Sequence, residues 1–140
     1  APLGAQQVVS TKAGLINLQV GEVTLNDAEI EIKKSRFTQM KNGDVLRTGE
    51  GRAEVLLAPG TILRLNEKSA LRLEADSIVA TRVALLEGDA MLEVMEFAKD
   101  VSLEVLIGTD KVSVQKVGLY RLNASEPQVR VLEGEVAVVT

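Results

Sequence analysis

The chain has 140 residues, contains no Cys, His or Trp and carries a formal charge of −4; its length fits one domain. Disulfide bridges, metal sites built from thiolate or imidazole, and catalysis by a histidine base are therefore excluded. The acidic balance also argues against nucleic-acid binding, which normally requires a basic excess or patch.

Residues 1–12 show little pattern, and we predict a flexible lead-in there, followed by a single β domain over residues 13–140. The small residues that open the chain fit a mature N-terminus left by signal-peptide removal, or an artificial boundary. No segment approaches the roughly 18 apolar residues of a membrane span. The lack of Cys also fits an envelope location, where an unpaired thiol is a hazard.

From Leu15 onward, apolar residues recur at every second position, which is the period of strands with one buried face. A high content of Val agrees with strands. The alternating segments lie at 15–20, 28–32, 71–73, 101–107, 129–131 and 136–138. The pattern predicts an all-β fold.

Two turns are marked in the first half of the chain. Asn42-Gly43 predicts a two-residue hairpin, because both residue types tolerate positive φ. Ala58-Pro59-Gly60-Thr61 predicts a type II turn, in which Pro59 presets φ and Gly60 supplies the positive φ of the next position. A β-branched residue at Gly60 is therefore expected to destabilise the fold by more than about 1 kcal/mol.

The segment at 89–99 is ambiguous, because its residues favour a helix as well as a strand. We favour a strand to about residue 95 followed by an irregular continuation, with a helix capped by Asp89 as the alternative.

A Gly followed by an acid recurs at Gly21, Gly43, Gly88 and Gly134, with separations of 22, 45 and 46 residues. These separations are close to multiples of 22–23 residues, and such a period is typical of stacked coils. We predict short strands in a coiled, solenoid-like or rolled sheet, with a β-sandwich as the alternative. The glycines are assigned to structural turns, as are Asn42, Pro59 and Gly60.

Residues 83–110 carry seven acids against Lys99 alone. Outward strand positions need charge for solubility, and an acidic surface for a basic partner is the alternative. The candidate partner-binding residues are Glu87, Glu93, Glu96 and Glu104. The acids lack the clustering of a Ca²⁺ site, and no motif singles out a catalytic carboxylate pair. The sequence therefore predicts no catalytic residue, no metal and no cofactor.

Six segments in a fixed order resemble the FecR-like domain family over about residues 15 to 139. At Gly118-Leu119-Tyr120 the chain departs from the family pattern of Gly-Thr followed by a nearby aromatic residue, because Leu119 replaces the Thr. The segments are NGDVLRTG (42–49), GRAEVLL (51–57), PGTILRL (59–65), SALRL (69–73), LLEGD (85–89) and VRVLEGEV (129–136).

The resemblance implies an extracytoplasmic (periplasmic or secreted) all-β domain, and we expect it to be non-enzymatic. In the best-known members it is the periplasmic part of a membrane regulator that receives a signal from an outer-membrane siderophore transporter and controls a sigma factor. We therefore expect a signalling or protein-interaction module of the bacterial envelope with a protein partner. The alternatives are a structural, self-associating envelope domain and a cell-wall glycan-binding module, although one Tyr and two Phe offer few stacking platforms for sugars.

Overall fold

The computed structural model describes residues 12–30 and 38–140, and within these ranges the chain forms β-strands and no helix. The all-β prediction is confirmed. The described strands are β1 (Leu15–Leu25), β2 (Ala28–Glu29), β3 (Thr38–Gln39), β4 (Val45–Ala58), β5 (Thr61–Leu65), β6 (Ala70–Ser77), β7 (Ala80–Glu87), β8 (Asp89–Val94), β9 (Ser102–Ile107), β10 (Asp110–Val114), β11 (Gly118–Asn123), β12 (Gln128–Glu133) and β13 (Val136–Val139).

The strands form one rolled sheet with the order β12-β11-β8-β5-β4-β6-β7-β9-β10-β13. The 14-residue strand β4 lies in the middle of this order. Its second half pairs with β5, and its first residues pair with β6. β1 runs along the other edge of β4, and the short strands β2 and β3 pair with β1. β12 and β13 end the order on opposite sides yet are consecutive in the chain, so the sheet nearly closes on itself.

The rolled form of the predicted sheet is the one that the structure shows. Its strand pairs are antiparallel except for β7 and β9, which run in parallel with Ala80 opposite Ser102 and Leu85 opposite Ile107. This offset is the 22-residue period of the sequence, expressed in one strand pair. In the described chain, the other strand pairs are either hairpins or pairs of more distant segments, and they do not link successive coils of a solenoid.

The interior of the roll is filled almost wholly by aliphatic side chains, and Tyr120 and Met40 are the largest exceptions. The alternation predicted at 71–73 and 101–107 is seen directly, with Leu71, Leu73, Leu103, Val105 and Ile107 buried. The segment at 89–99 forms β8 to Val94 and continues without regular structure, so the strand prediction is confirmed. Of the strand predicted at 28–32, β2 forms the first two residues, and residues 31 and 32 lie outside the described ranges.

Burial of the alternating residues fails at the first strand. A register shift between Ile16 and Leu18 inserts an extra residue, Asn17, into β1. Leu18 and Val20 are consequently 39% and 44% exposed, whereas Ile16 is 3% exposed. A bulge reverses the face that later residues present, and a two-residue period cannot reveal where a bulge falls.

The prediction of a two-residue hairpin at Asn42-Gly43 is wrong. A turn exists, because the Asp44 N–H donates to the Lys41 carbonyl at 3.0 Å and Gly43 has φ +91°. The strands on either side, β3 and β4, both pair with β1 and not with each other. Pro59-Gly60 does join two paired strands, since Ala58 of β4 lies opposite Thr61 of β5 and Gly60 has φ +74°.

Candidate functional site

The roll closes with a long bent hairpin at the C-terminal end of the chain. One arm consists of β10 and β11, and the other of β12 and β13. The register runs from Asn123 opposite Gln128 to Lys111 opposite Val139, with a bend between the strands of each arm. Through the bend, the Gln115 N–H donates to the Glu135 carbonyl at 2.8 Å. We call the outer arm, residues 128–139, the C-terminal edge.

Tyr120 fixes the bend between β12 and β13. Its side chain is fully buried, and its hydroxyl donates to the Lys116 carbonyl at 2.6 Å while accepting from the Glu135 N–H at 3.0 Å. Gly134 has φ +108°, and a Cβ there would overlap the Tyr120 hydroxyl. Glycine is therefore required at this position both for its backbone conformation and for space.

The C-terminal edge is open on its outer side, because among the described residues β12 pairs with β11 and β13 pairs with β10. It is also apolar. Val131, Leu132, Val138 and Val139 are 40%, 48%, 49% and 57% exposed. The strands predicted at 129–131 and 136–138 therefore form, but the predicted burial of Val131 and Val138 is wrong, because an edge strand has no neighbour to cover it. Such an edge is a template for pairing with another strand.

A row of four charged residues and Met91 crosses the outer face of β4, β5, β8, β11 and β12. Glu54 lies opposite Arg64, Arg64 opposite Met91, Met91 opposite Arg121, and Arg121 opposite Arg130. Arg64 is bound by two carboxylates, Glu54 at 3.5 Å and Glu93 at 2.8 Å.

Arg121 and Arg130 form no ion pair with any described residue. Arg52, which lies on β4 two residues before Glu54, forms none either. Arg52, Arg64 and Arg121 line a groove of about 420 Å³ on this face. The outer face beside the C-terminal edge therefore carries cationic groups that the fold leaves unneutralised.

The FecR protein family model matches residues 44–137 of the chain, about two thirds of its length. The chain belongs to the FecR family. The match begins at the start of β4 and includes the C-terminal edge almost to its end. No curated protein matches the chain, and no solved structure matches it.

In this FecR domain, three of the four glutamates selected from the sequence lie on different strands, and the fourth lies outside any strand. Glu87 ends β7 and binds Arg47 at 2.7 Å, and Glu93 of β8 binds Arg64 at 2.8 Å. β7 and β8 belong to opposite sides of the roll. Glu96 lies beyond β8, beside the Gly60 turn. The acidic stretch is therefore distributed over the roll, and arginines of other strands form ion pairs with three of its seven acids.

Glu104 is the most strongly held of the four. Arg82 of the parallel neighbour β7 donates two hydrogen bonds to its Oε1 at 3.0 and 2.7 Å, and Lys111 of β10 lies 3.5 Å from Oε2. The hydrogen bonds from Arg82 outweigh desolvation and lower the pKa of Glu104 below its ordinary value. This carboxylate is occupied within the sheet, so it is a weaker candidate for binding a partner.

The glycines of the repeated Gly-acid pattern occupy different surroundings in the FecR domain. The turn predicted at Gly21 is wrong, because Gly21 lies inside β1, opposite Gly51 and next to a second bulge that interrupts the strand pairing. Gly88 separates β7 from β8. A Cβ at Gly88 would overlap Ser69, whereas one at Gly43 would meet nothing within 4 Å. Together with Gly134 in the C-terminal edge, these residues have φ between +74° and +108°.

One end of the roll holds a smaller apolar cavity of about 200 Å³, lined in part by Ile78, Val79, Phe97 and Val101. Within residues 12–30 and 38–140, no group of three or more carboxylates is placed to hold a metal ion. The described part of the chain also contains no helix of the length and apolarity needed to cross a membrane.

The residues that sequence reasoning did not select are Tyr120, Arg130 and the valines of the C-terminal edge. Tyr120 is the one Tyr of the chain and lies two residues after Gly118 in a strand pattern. These two features are the signal by which the sequence could have indicated its importance. Arg130 lies in an ordinary alternating segment, and nothing in that segment indicates that its strand is an edge.

Proposed function

We propose that this FecR domain is a non-enzymatic, extracytoplasmic protein-interaction module of a FecR-type signalling regulator, and that it binds its envelope partner along the C-terminal edge. The partner supplies an extended segment that adds to β12 or β13 as a further strand. The main-chain hydrogen bonds of that strand provide affinity, and alternate side chains provide specificity.

One observation carries this proposal: the C-terminal edge is a ten-residue pair of strands with an open outer side and four exposed aliphatic side chains. Proteins ordinarily protect such edges with charge, with proline or by covering them. In β13 the sequence is Val136-Ala137-Val138-Val139, which contains none of these protective residues. An extended apolar segment of a partner would bury the valines and satisfy the open backbone groups.

Family membership supports the regulatory part of the proposal. A regulator of this type transmits a signal by changing its protein contacts, and the described residues offer no catalytic constellation that would favour an enzyme. The open edge gives such contacts a physical basis, because strand addition needs no prepared pocket.

Site-specific photocrosslinking tests the docking edge. A photoreactive amino acid is placed at Val139 or at Val79, which are both 57% exposed but lie at the edge and at the β6–β7 turn, respectively. In the source bacterium we expect Val139 to crosslink one envelope protein and Val79 to crosslink none. Val139→Lys should reduce capture by a second photoreactive residue at Leu132, since a charge opposes strand addition, whereas Val79→Lys should not.

Equal crosslinking from both positions, or none from the edge, would reject the docking site. If the edge crosslinks only to a second copy of this chain, that result would contradict binding to a different envelope protein. Localisation is tested in the same cells by adding protease before and after removal of the outer membrane. The proposal requires cleavage of the domain only after that removal, and protection in both conditions contradicts it.

A further inference from the structure

Arg121 and Arg130 form an unfavourable pair within the sheet. They lie directly opposite each other on β11 and β12, both are exposed, and no described carboxylate forms an ion pair with either. Like charges at directly opposed strand positions are destabilising. Glu133, at the other end of β12, is likewise exposed and without an ion pair among the described residues.

A bulge places Arg130 and Glu133 on the same face of the sheet. Three positions apart, they would lie on opposite faces of a regular strand. Between Tyr120 and Leu119 of β11, however, the register of β12 shifts by one residue, so that Arg130 opposes Arg121 and Glu133 opposes Leu119. Leu119 and Arg121 are two residues apart and share one face, and therefore Arg130 and Glu133 share it as well.

We infer that two copies of this chain pair through β12, antiparallel and about a two-fold axis between Val131 and Leu132. This register sets Arg130 of each copy opposite Glu133 of the other, twice by symmetry. It also sets Val131 opposite Leu132 at the centre, so that two exposed apolar side chains of each copy meet. Directly opposed residues must share a face, and the bulge makes this register permissible.

Charge complementarity selects the second copy as the occupant of β12. A register centred on Arg130 would place Arg130 of one copy opposite Arg130 of the other. The register centred between Val131 and Leu132 instead places Arg130 opposite Glu133 on both sides of the axis. A bulge ordinarily blunts an edge; here it restricts pairing to one register. A single pair of short strands buries less than the roughly 1,000 Å² of a stable interface, so the dimer forms at high protein concentration and weakens with salt.

The inference rests on the proposed function in one respect, since both use the open C-terminal edge. Self-pairing would cover β12 in the absence of a partner, and partner binding would then compete with it. The two remain separable: a heterologous crosslink from Val139 requires no dimer, and dimerisation of the purified chain requires no partner.

A charge-swap experiment tests the register. Sedimentation velocity over a range of concentrations compares the natural chain with Arg130→Glu, with Glu133→Arg and with an equimolar mixture of the two variants. Each variant alone opposes like charges twice, and we expect self-association to weaken by about 10-fold or more. The mixture restores both unlike pairs, and we expect association within about 3-fold of the natural chain. Arg52→Glu, a reversal on the same face away from β12, should change nothing.

A strictly monomeric natural chain, or a mixture that associates no better than its components, overturns the inference. A second readout uses the absence of natural cysteine. Val131→Cys and Leu132→Cys, mixed under mild oxidation, should give a mixed disulfide faster than either variant gives its own dimer. This readout leaves Arg130 and Glu133 in place, so it decides the matter even where a charge variant fails to fold. Equal rates reject the register.

Discussion

The hydroxyl of Tyr120 offers the most direct test of how the C-terminal edge is held. Tyr120→Phe removes one oxygen and leaves the buried ring in place. In the folded chain that oxygen joins the Lys116 carbonyl, at 2.6 Å, to the Glu135 N–H, at 3.0 Å. Both partner groups belong to the bend, where the sheet ladders on either side are interrupted.

The expected cost follows from the unmet hydrogen bonds. A buried donor or acceptor left without its partner costs about 1–3 kcal/mol. Lys116 and Glu135 are themselves exposed, and water can replace part of the lost bonding. We therefore expect a loss of about 2 kcal/mol in the free energy of unfolding, which lowers Tm by about 5–10 °C for a domain of this size.

Urea denaturation and thermal unfolding measure this loss, and amide hydrogen exchange locates it. Thr109→Val is the matched control, because it removes a hydroxyl from an exposed turn residue and should stay within about 0.5 kcal/mol of the natural chain. The Glu135 N–H should lose protection in Tyr120→Phe while amides of β4 keep theirs. A variant as stable as the control, with Glu135 still protected, would refute the role of the hydroxyl in holding the bend.

Two further predictions concern the glycines and the pH dependence of stability. Gly43→Ala should lower the free energy of unfolding by about 1 kcal/mol, because φ is positive there. Gly88→Ala should lower it by about 2 kcal/mol more, because its Cβ would also overlap Ser69. Equal losses for the two variants in urea denaturation would contradict the steric argument. The lowered pKa of Glu104 means that its stabilisation is present above its ordinary pKa of 4.5 and disappears as the pH falls through the lowered value. Glu104→Gln should therefore reduce the stability difference between pH 7 and pH 3, and an unchanged difference would show that the hydrogen bonds from Arg82 do not stabilise the fold.

Much of the fold could be predicted from local pattern. Alternation identified the strands at 71–73 and 101–107, because a strand with one covered face must place apolar residues at every second position. The strand at 89–94 was predicted against a competing helix, and the pairing of β8 with β5 and β11 explains why the strand prevails. Tertiary contacts override helix propensity, which is worth only tenths of a kcal/mol per residue.

The candidate site was largely beyond such reasoning. Glu87, Glu93 and Glu104 were selected because they are close in sequence, but their arginine partners come from strands about 22 to 40 residues away. A charge count along the chain cannot register neutralisation across a sheet. The candidate docking site is therefore the C-terminal edge and not the acidic surface, although the sequence pattern predicted that the valines of this edge are buried.

The sequence by itself determined an all-β chain with an aliphatic interior, turns at Asn42-Gly43 and Pro59-Gly60, and membership of the FecR family, because each of these depends on residues near one another or on their order. The tertiary structure alone decided which strands lie at the end of the sheet, where bulges reverse a face, and which charges meet. Val131 and Leu71 stand in the same alternating pattern, yet one is 40% exposed and the other is fully buried. The difference is the presence of a neighbouring strand, and strand order is set by pairing between distant parts of the chain.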